Sequence, residues 1–233
     1  MFDNLTILKY NLIRTFRSPI SALVSAAAPI VIILVAQDLW VESPSLGINM
    51  LALIVLLASH LSAGLILQDR LDGSVIRVQL SPVSNLSYMV QNLLAAMMPP
   101  FIYAMVLAVA GLLLYNWGAA LTFGLTLAVL LFAFVSIGFA FFFNNFFKSK
   151  EGNKYAFLFV AVIMAFSTGL MLPIEALPQH LQHVGAVFYP FWFLRGINMV
   201  EEYGLTLGFW MYQIVMVLFA TVFLVLGSKK RGA

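Results

Sequence analysis

The chain has 233 residues, 63% of them hydrophobic and only 9% charged, against roughly half and a quarter in a soluble domain. No water-soluble globule of this size hides so much apolar surface, so a soluble fold is excluded and an all-α integral membrane protein is expected. Cysteine is absent, which removes disulfides, thiolate nucleophiles and cysteine-ligated metals from consideration, and the formal charge of +3 takes its meaning from where Lys and Arg fall.

Before the first long apolar run, Leu5, Leu8, Leu12 and Phe16 recur at helical spacing while Asn11, Arg14 and Arg17 populate the opposite face. This pattern predicts an amphipathic helix over 1–18 lying along the inner leaflet, with Lys9 reaching up to the headgroups. A helix needs about 20 apolar residues to cross roughly 30 Å of hydrocarbon. Six uncharged runs meet that need: Pro19 to Gln37, Ile48 to Leu67, Leu93 to Tyr115, Ala119 to Phe143, Tyr155 to Pro173 and Leu205 to Leu226. The first is expected to be a retained span rather than a signal peptide, because a charged lead precedes it and five runs follow. Too little chain lies outside the runs for a separate soluble domain, so one membrane domain covering 1–233 is expected.

Eleven of the twelve Lys and Arg fall on one side of this six-span arrangement, and Arg195 alone falls on the other. The cytoplasmic side retains basic residues, so both termini are expected there. No Asp, Glu, Lys or Arg lies within any run, whereas ion-driven pumps place ionisable groups on their path. His60, in the second run between Ser59 and Ser62, is expected to make a helix-to-helix hydrogen bond rather than to relay protons. The chain lacks G-x-x-x-x-G-K-[ST] and so has no phosphate-cradling loop of its own.

Between the second and third runs, over 68–92, Leu67, Leu71, Val75 and Val78 form one stripe while Asp69, Arg70, Asp72 and Arg77 point elsewhere. This predicts a short cytoplasmic helix, either a docking surface or a solvated connection, in which Gly73 marks a break or a close backbone approach. Ser81 and Pro82 read as the N-cap and first position of the helix that becomes span three. Pro99 and Pro100 are candidates to break that span. Phe141 to Phe143 in the fourth run are expected to face lipid.

After the fifth run, over 174–204, Leu177, Leu181, Val184 and Phe188 mark one face of a short helix bracketed by Pro173, Pro178 and Pro190, expected to dip into the outer leaflet. Phe188, Tyr189, Phe191, Trp192 and Phe193 are expected as an aromatic belt at headgroup level. His180 and His183 with Glu175 are too few ligands to argue a metal site.

At the two loops the chain resembles the membrane subunits of ABC-2 type ABC transporters, a permease family of exporters. The inner motif stands here as Asp69, Asp72, Gly73 and Ser74, then Ser81, Pro82 and Val83; the outer one as Gly169, Pro173, Leu177, Pro178, Pro190 and Arg195. Where the family often has Glu before the inner Gly and a Gly-Lys after its Pro, this chain has Asp72 and then Gln91 with Asn92. The resemblance implies an elbow helix carrying Lys9, Arg14 and Arg17, and a coupling helix over Asp69 to Leu80. Arg70, Asp72 and Arg77 would supply its polar contacts to a separate cytoplasmic ATPase. It also implies an external gate built on the outer motif. ATP and magnesium would belong to the ATPase, with no cofactor on this chain, and a pair of ATPase clefts implies two permease subunits, identical or different. The cargo implied is amphipathic or hydrophobic, the location a prokaryotic cell membrane, and no nucleic acid is involved. An ion-coupled carrier or channel, using backbone carbonyls at broken helices, stays open as the alternative; an enzyme acting on lipids finds too few acid or base groups.

Overall fold

The computed structural model describes residues 6–17, 23–35, 37–73, 85–172 and 178–228, and among these it is helical throughout, with no strand. The helices are α1 (Thr6–Arg17), a π-helical turn (Leu23–Ala27), α2 (Ala28–Val35), α3 (Gln37–Glu42), α4 (Pro44–Leu71), α5 (Asn85–Ala96), α6 (Met98–Leu113), α7 (Ala119–Asn144), α8 (Lys150–Thr168), α9 (Gln179–Gly185), α10 (Tyr189–Tyr203) and α11 (Leu207–Ser228). Among the described residues, four segments are long and apolar enough to cross a membrane: Pro44–Asp69, Val90–Leu113, Ala119–Asn144 and Leu207–Gly227.

The first and fifth runs look different from the expectation. The described part of the first is a π turn that leads into the short helix α2, and α3 begins only at its last residue, Gln37. The fifth begins earlier, at Lys150, where Ser149 caps the helix by accepting from Gly152 N–H at 3.2 Å. It also ends earlier, at Gly169, whose φ of +98° is a left-handed C-cap that an L side chain would strain. Its apolar stretch Tyr155–Thr168 is therefore about 21 Å long. The third run is interrupted at Met97. Pro99 and Pro100 carry no N–H, and the chain restarts there as α6, with the prolines in its first turn.

Helix α7 is the hub, packed by α4, α6, α10 and α11. Its Ala128, Phe132, Ala133, Val135 and Ala140 are fully buried. Phe141 is buried too and Phe142 and Phe143 are partly covered, so this trio is not a lipid-facing stripe. The Phe142 and Phe143 rings join Phe139, Phe157 and Phe223 in an aromatic cluster between α7, α8 and α11. Helix α11 behaves as a boundary helix: Phe209, Gln213, Met216 and Ala220 repeat on one covered face, while Met211, Ile214, Leu218 and Val222 are open. That division is what a span packed on one side and lipid-bathed on the other requires.

Helix α10 was not anticipated, because the segment reads as a proline-broken aromatic belt. Pro190 starts this helix rather than ending one. Tyr189, Phe193, Ile197 and Val200 then fall on one stripe and are buried. Phe193 lies 4.3 Å from Phe132 between centroids, and Tyr189 donates to Ser136 Oγ at 3.0 Å. Two of the belt's rings are thus core residues, since a helix placed their spacing of four on the face turned to α7.

Candidate functional site

Helix α4 passes between two polar stations. From Ser45 to Asp69 it runs about 36 Å, enough to separate the two loops singled out by the sequence onto opposite ends of the bundle.

At the far end of α4, Asp69 sits on the last turn and Asp72 and Gly73 form the turn that follows. Gly73 has φ +70°, so it breaks the helix. The stripe that begins at Leu67 therefore starts on the span's own last turn and not on a separate element. Asp72 is exposed. Arg70 lies on the same turn as Asp69; Arg77, Ser81 and Pro82 lie outside the described residues, and α5 is described from Asn85.

Asp69 does not face outward for a partner. Arg14 of α1 holds its carboxylate at 2.5 Å in the one salt bridge among the described residues, and Tyr88 donates to its other oxygen at 3.5 Å. Helix α1 is fixed further by Asn11 donating to Asn92 Oδ1 at 2.7 Å and Leu8 N–H donating to Gln91 Oε1 at 3.3 Å. Gln91 and Asn92 are buried on α5 and are braced by Ser87 and by the Tyr88 carbonyl. The polar face of α1 is thus turned to protein, while Lys9, Tyr10 and Ile13 are exposed; Arg17 is its last residue. The sequence could not show this, because the partners are 55 to 83 residues apart. The only signal was a polar pair, Gln91–Asn92, at the threshold of an apolar run.

A second polar tie lies close by. Asn144, last residue of α7, donates to the Ala63 carbonyl of α4 at 2.7 Å and accepts from Asn153 of α8 at 2.7 Å. Both asparagines are buried, so one exchange clamps three helices. His60 does not make the helix-to-helix hydrogen bond expected of it. Its ring stacks on Phe157 at 4.7 Å, and Nδ1 has no partner.

At the near end of α4, Trp40 is completely buried and donates from Nε1 to the Ile32 carbonyl at 3.1 Å, and Tyr115 donates to the carbonyl of Ile33. These carbonyls lie in the last turn of α2, so two aromatic donors satisfy what the helix end leaves open. The indoles need space that glycine provides: a Cβ on Gly47 would strike the Trp40 ring, and one on Gly111 would lie 2.5 Å from Trp117. Helix α9 is seated the same way. Its Gly185 lies so close to the Ser167 carbonyl that no Cβ fits, and Pro178 is its N-cap. Pro190 is buried in the first turn of α10, Gly169 ends α8, and Pro173 and Leu177 lie outside the described residues. His180 and His183 are exposed on α9.

Between these elements lies a cavity of about 280 Å³, lined by the first turns of α4, the end of α8 with Gly169 to Leu172, and one face of α10 carrying Arg195. The outer-motif residues Gly169 and Arg195 are brought together on its wall.

A family model described as ABC-2 family transporter protein matches residues 40–229, which takes in everything from Trp40 to the end of α11. No curated protein matches the chain.

Proposed function

Because the chain belongs to the ABC-2 family of transporter proteins, we propose that it is the permease subunit of an ATP-driven exporter, working with a separate cytoplasmic ATPase. Its runs cross a prokaryotic cell membrane six times, the first run and α8 included, with both termini on the cytoplasmic side. The carrying observation is that every Asp, Glu, Lys and Arg stands outside the apolar runs. Such a bundle has no charge on which a proton or ion gradient can act, and no phosphate-binding loop, so work must arrive by contact.

The contact is the Asp72–Gly73 turn with the residues after it. Asp72 is exposed and next to a left-handed glycine, and the family motif assigns Arg70, Arg77, Ser81 and Pro82 to the same task. Asp69 has a different task from the one its motif implies. It ties the end of α4 to Arg14, so that α1, acting as an elbow helix on the inner leaflet, moves with the coupling end. ATP and magnesium are held by the ATPase, whose two clefts engage two permease subunits, identical or different. Gly169, Pro173, Leu177, Pro178 and Pro190 form the external gate, past which an amphipathic or hydrophobic cargo leaves.

Co-purification tests this directly. A P-loop ATPase should be retained by the intact chain, be lost with Asp72→Arg or Gly73→Leu, and be kept with Asp69→Asn, which touches only the internal tie. Retention with both turn variants would refute the assignment of the contact.

A further inference from the structure

The cavity at the near end of α4 is a built site. Ser45, Leu46, Asn49 and Met50 come from one side of α4, and Phe191, Leu194, Arg195 and Asn198 recur at positions i, i+3, i+4 and i+7 of α10, so each helix presents a single face to it. Gly169 turns the chain so that Leu170 to Leu172 close the third side.

Its polarity is uneven. Arg195 is the one basic residue the charge count places at this end, and it has no carboxylate partner among the described residues. Its guanidinium lies over the Phe191 ring, 5.3 Å from the centroid, a contact that holds the fork in place and leaves its edges free to donate. Asn49 Oδ1 is buried with no hydrogen-bond partner, closed off behind this wall, so the polar group the cavity offers is the Arg195 fork. Leu46, Met50, Met171 and Leu172 are apolar and exposed around it.

We infer that this cavity binds an amphiphile with one anionic head, a phosphate or carboxylate. The head is taken by the Arg195 fork, and the chain lies on Leu46, Met50, Met171 and Leu172. One cation selects a head with a single anionic group. The same chemistry is offered by an anionic membrane lipid and by a single-chain anionic cargo. The reading as cargo rests on the exporter proposal, whereas the binding itself does not.

The test measures binding of radiolabelled decyl phosphate to the full chain in phosphatidylcholine nanodiscs, with empty discs subtracted. Decyl phosphate should bind saturably and decyltrimethylammonium should not. Arg195→Gln should weaken binding about tenfold or more, with Arg195→Lys recovering part of the loss. Met50→Trp, which fills the cavity and leaves the charge, should also lose it. Displacement by phosphatidylglycerol placed in the disc would assign the site to a membrane lipid, and persistence against it to a single-chain amphiphile. Equal binding of the cationic probe, or full affinity in both Arg195→Gln and Met50→Trp, would overturn the inference. A chain that binds decyl phosphate yet retains no ATPase would leave the site standing and sink the exporter reading alone.

Discussion

The two ends of α4 are held by opposite means. At one end polar side chains reach between helices, partly open to solvent: Arg14 and Asp69 keep 33% and 21% of their side-chain surface. At the other, glycines let backbone and indole rings close without room for a methyl group, at Gly47 on Trp40, Gly111 on Trp117 and Gly185 on Ser167. The first kind of contact is weak, screened by salt and easily exchanged. The second is dry and unforgiving of volume. Under the exporter proposal that contrast has a use, with a seam that yields where force enters and a rigid frame around the exit.

The contrast is sharpest under substitution. Gly185→Val forces a branched side chain against the Ser167 carbonyl and should cost the most, about 3 kcal/mol, read as a lower unfolding temperature of the purified chain and unchanged by salt. Asn153→Leu removes a donor from Asn144 and should cost about 1 kcal/mol, the scale of hydrogen bonds between helices in lipid. Trp40→Phe keeps the ring and loses the bond to the Ile32 carbonyl, for about 1 kcal/mol or slightly less. Asp69→Asn should cost the least, under about 1 kcal/mol, with faster hydrogen exchange in α1 as its signature and an effect that fades at high salt. An Asp69→Asn loss exceeding that of Gly185→Val, or a Gly185→Val loss abolished by salt, would erase the distinction between the ends.

Much of the long-helix framework was legible. The fourth run was expected to end at Phe143 and α7 ends at Asn144, because a bare apolar stretch between Gly118 and the polar Asn144–Asn145 pair has few ways to fold. What was not legible depends on partners distant in sequence. Nothing local says that Asn11 meets Asn92 or that Asn153 meets Asn144. A polar side chain at a span's edge fits a loop and an interhelical bond equally well. The cavity was hidden for the same reason: its walls come from three separate segments, and Asn49 lies inside an apolar run with no sign of its unmet acceptor. Helix α10 is a different case. The stripe Tyr189, Phe193, Ile197 and Val200 is present in the sequence, but a proline beside an aromatic run reads as a stop, and only its position in the first turn makes Pro190 a start.

An ATP-driven exporter takes its energy from nucleotide alone, and vesicles reconstituted with the purified chain, alone or with its co-purifying ATPase, measure that most directly. Uphill movement of decyl phosphate should be absent with the chain alone under any proton or sodium gradient, and should appear when the ATPase and magnesium-ATP are added. Accumulation by the chain alone, driven by an ion gradient, would contradict it.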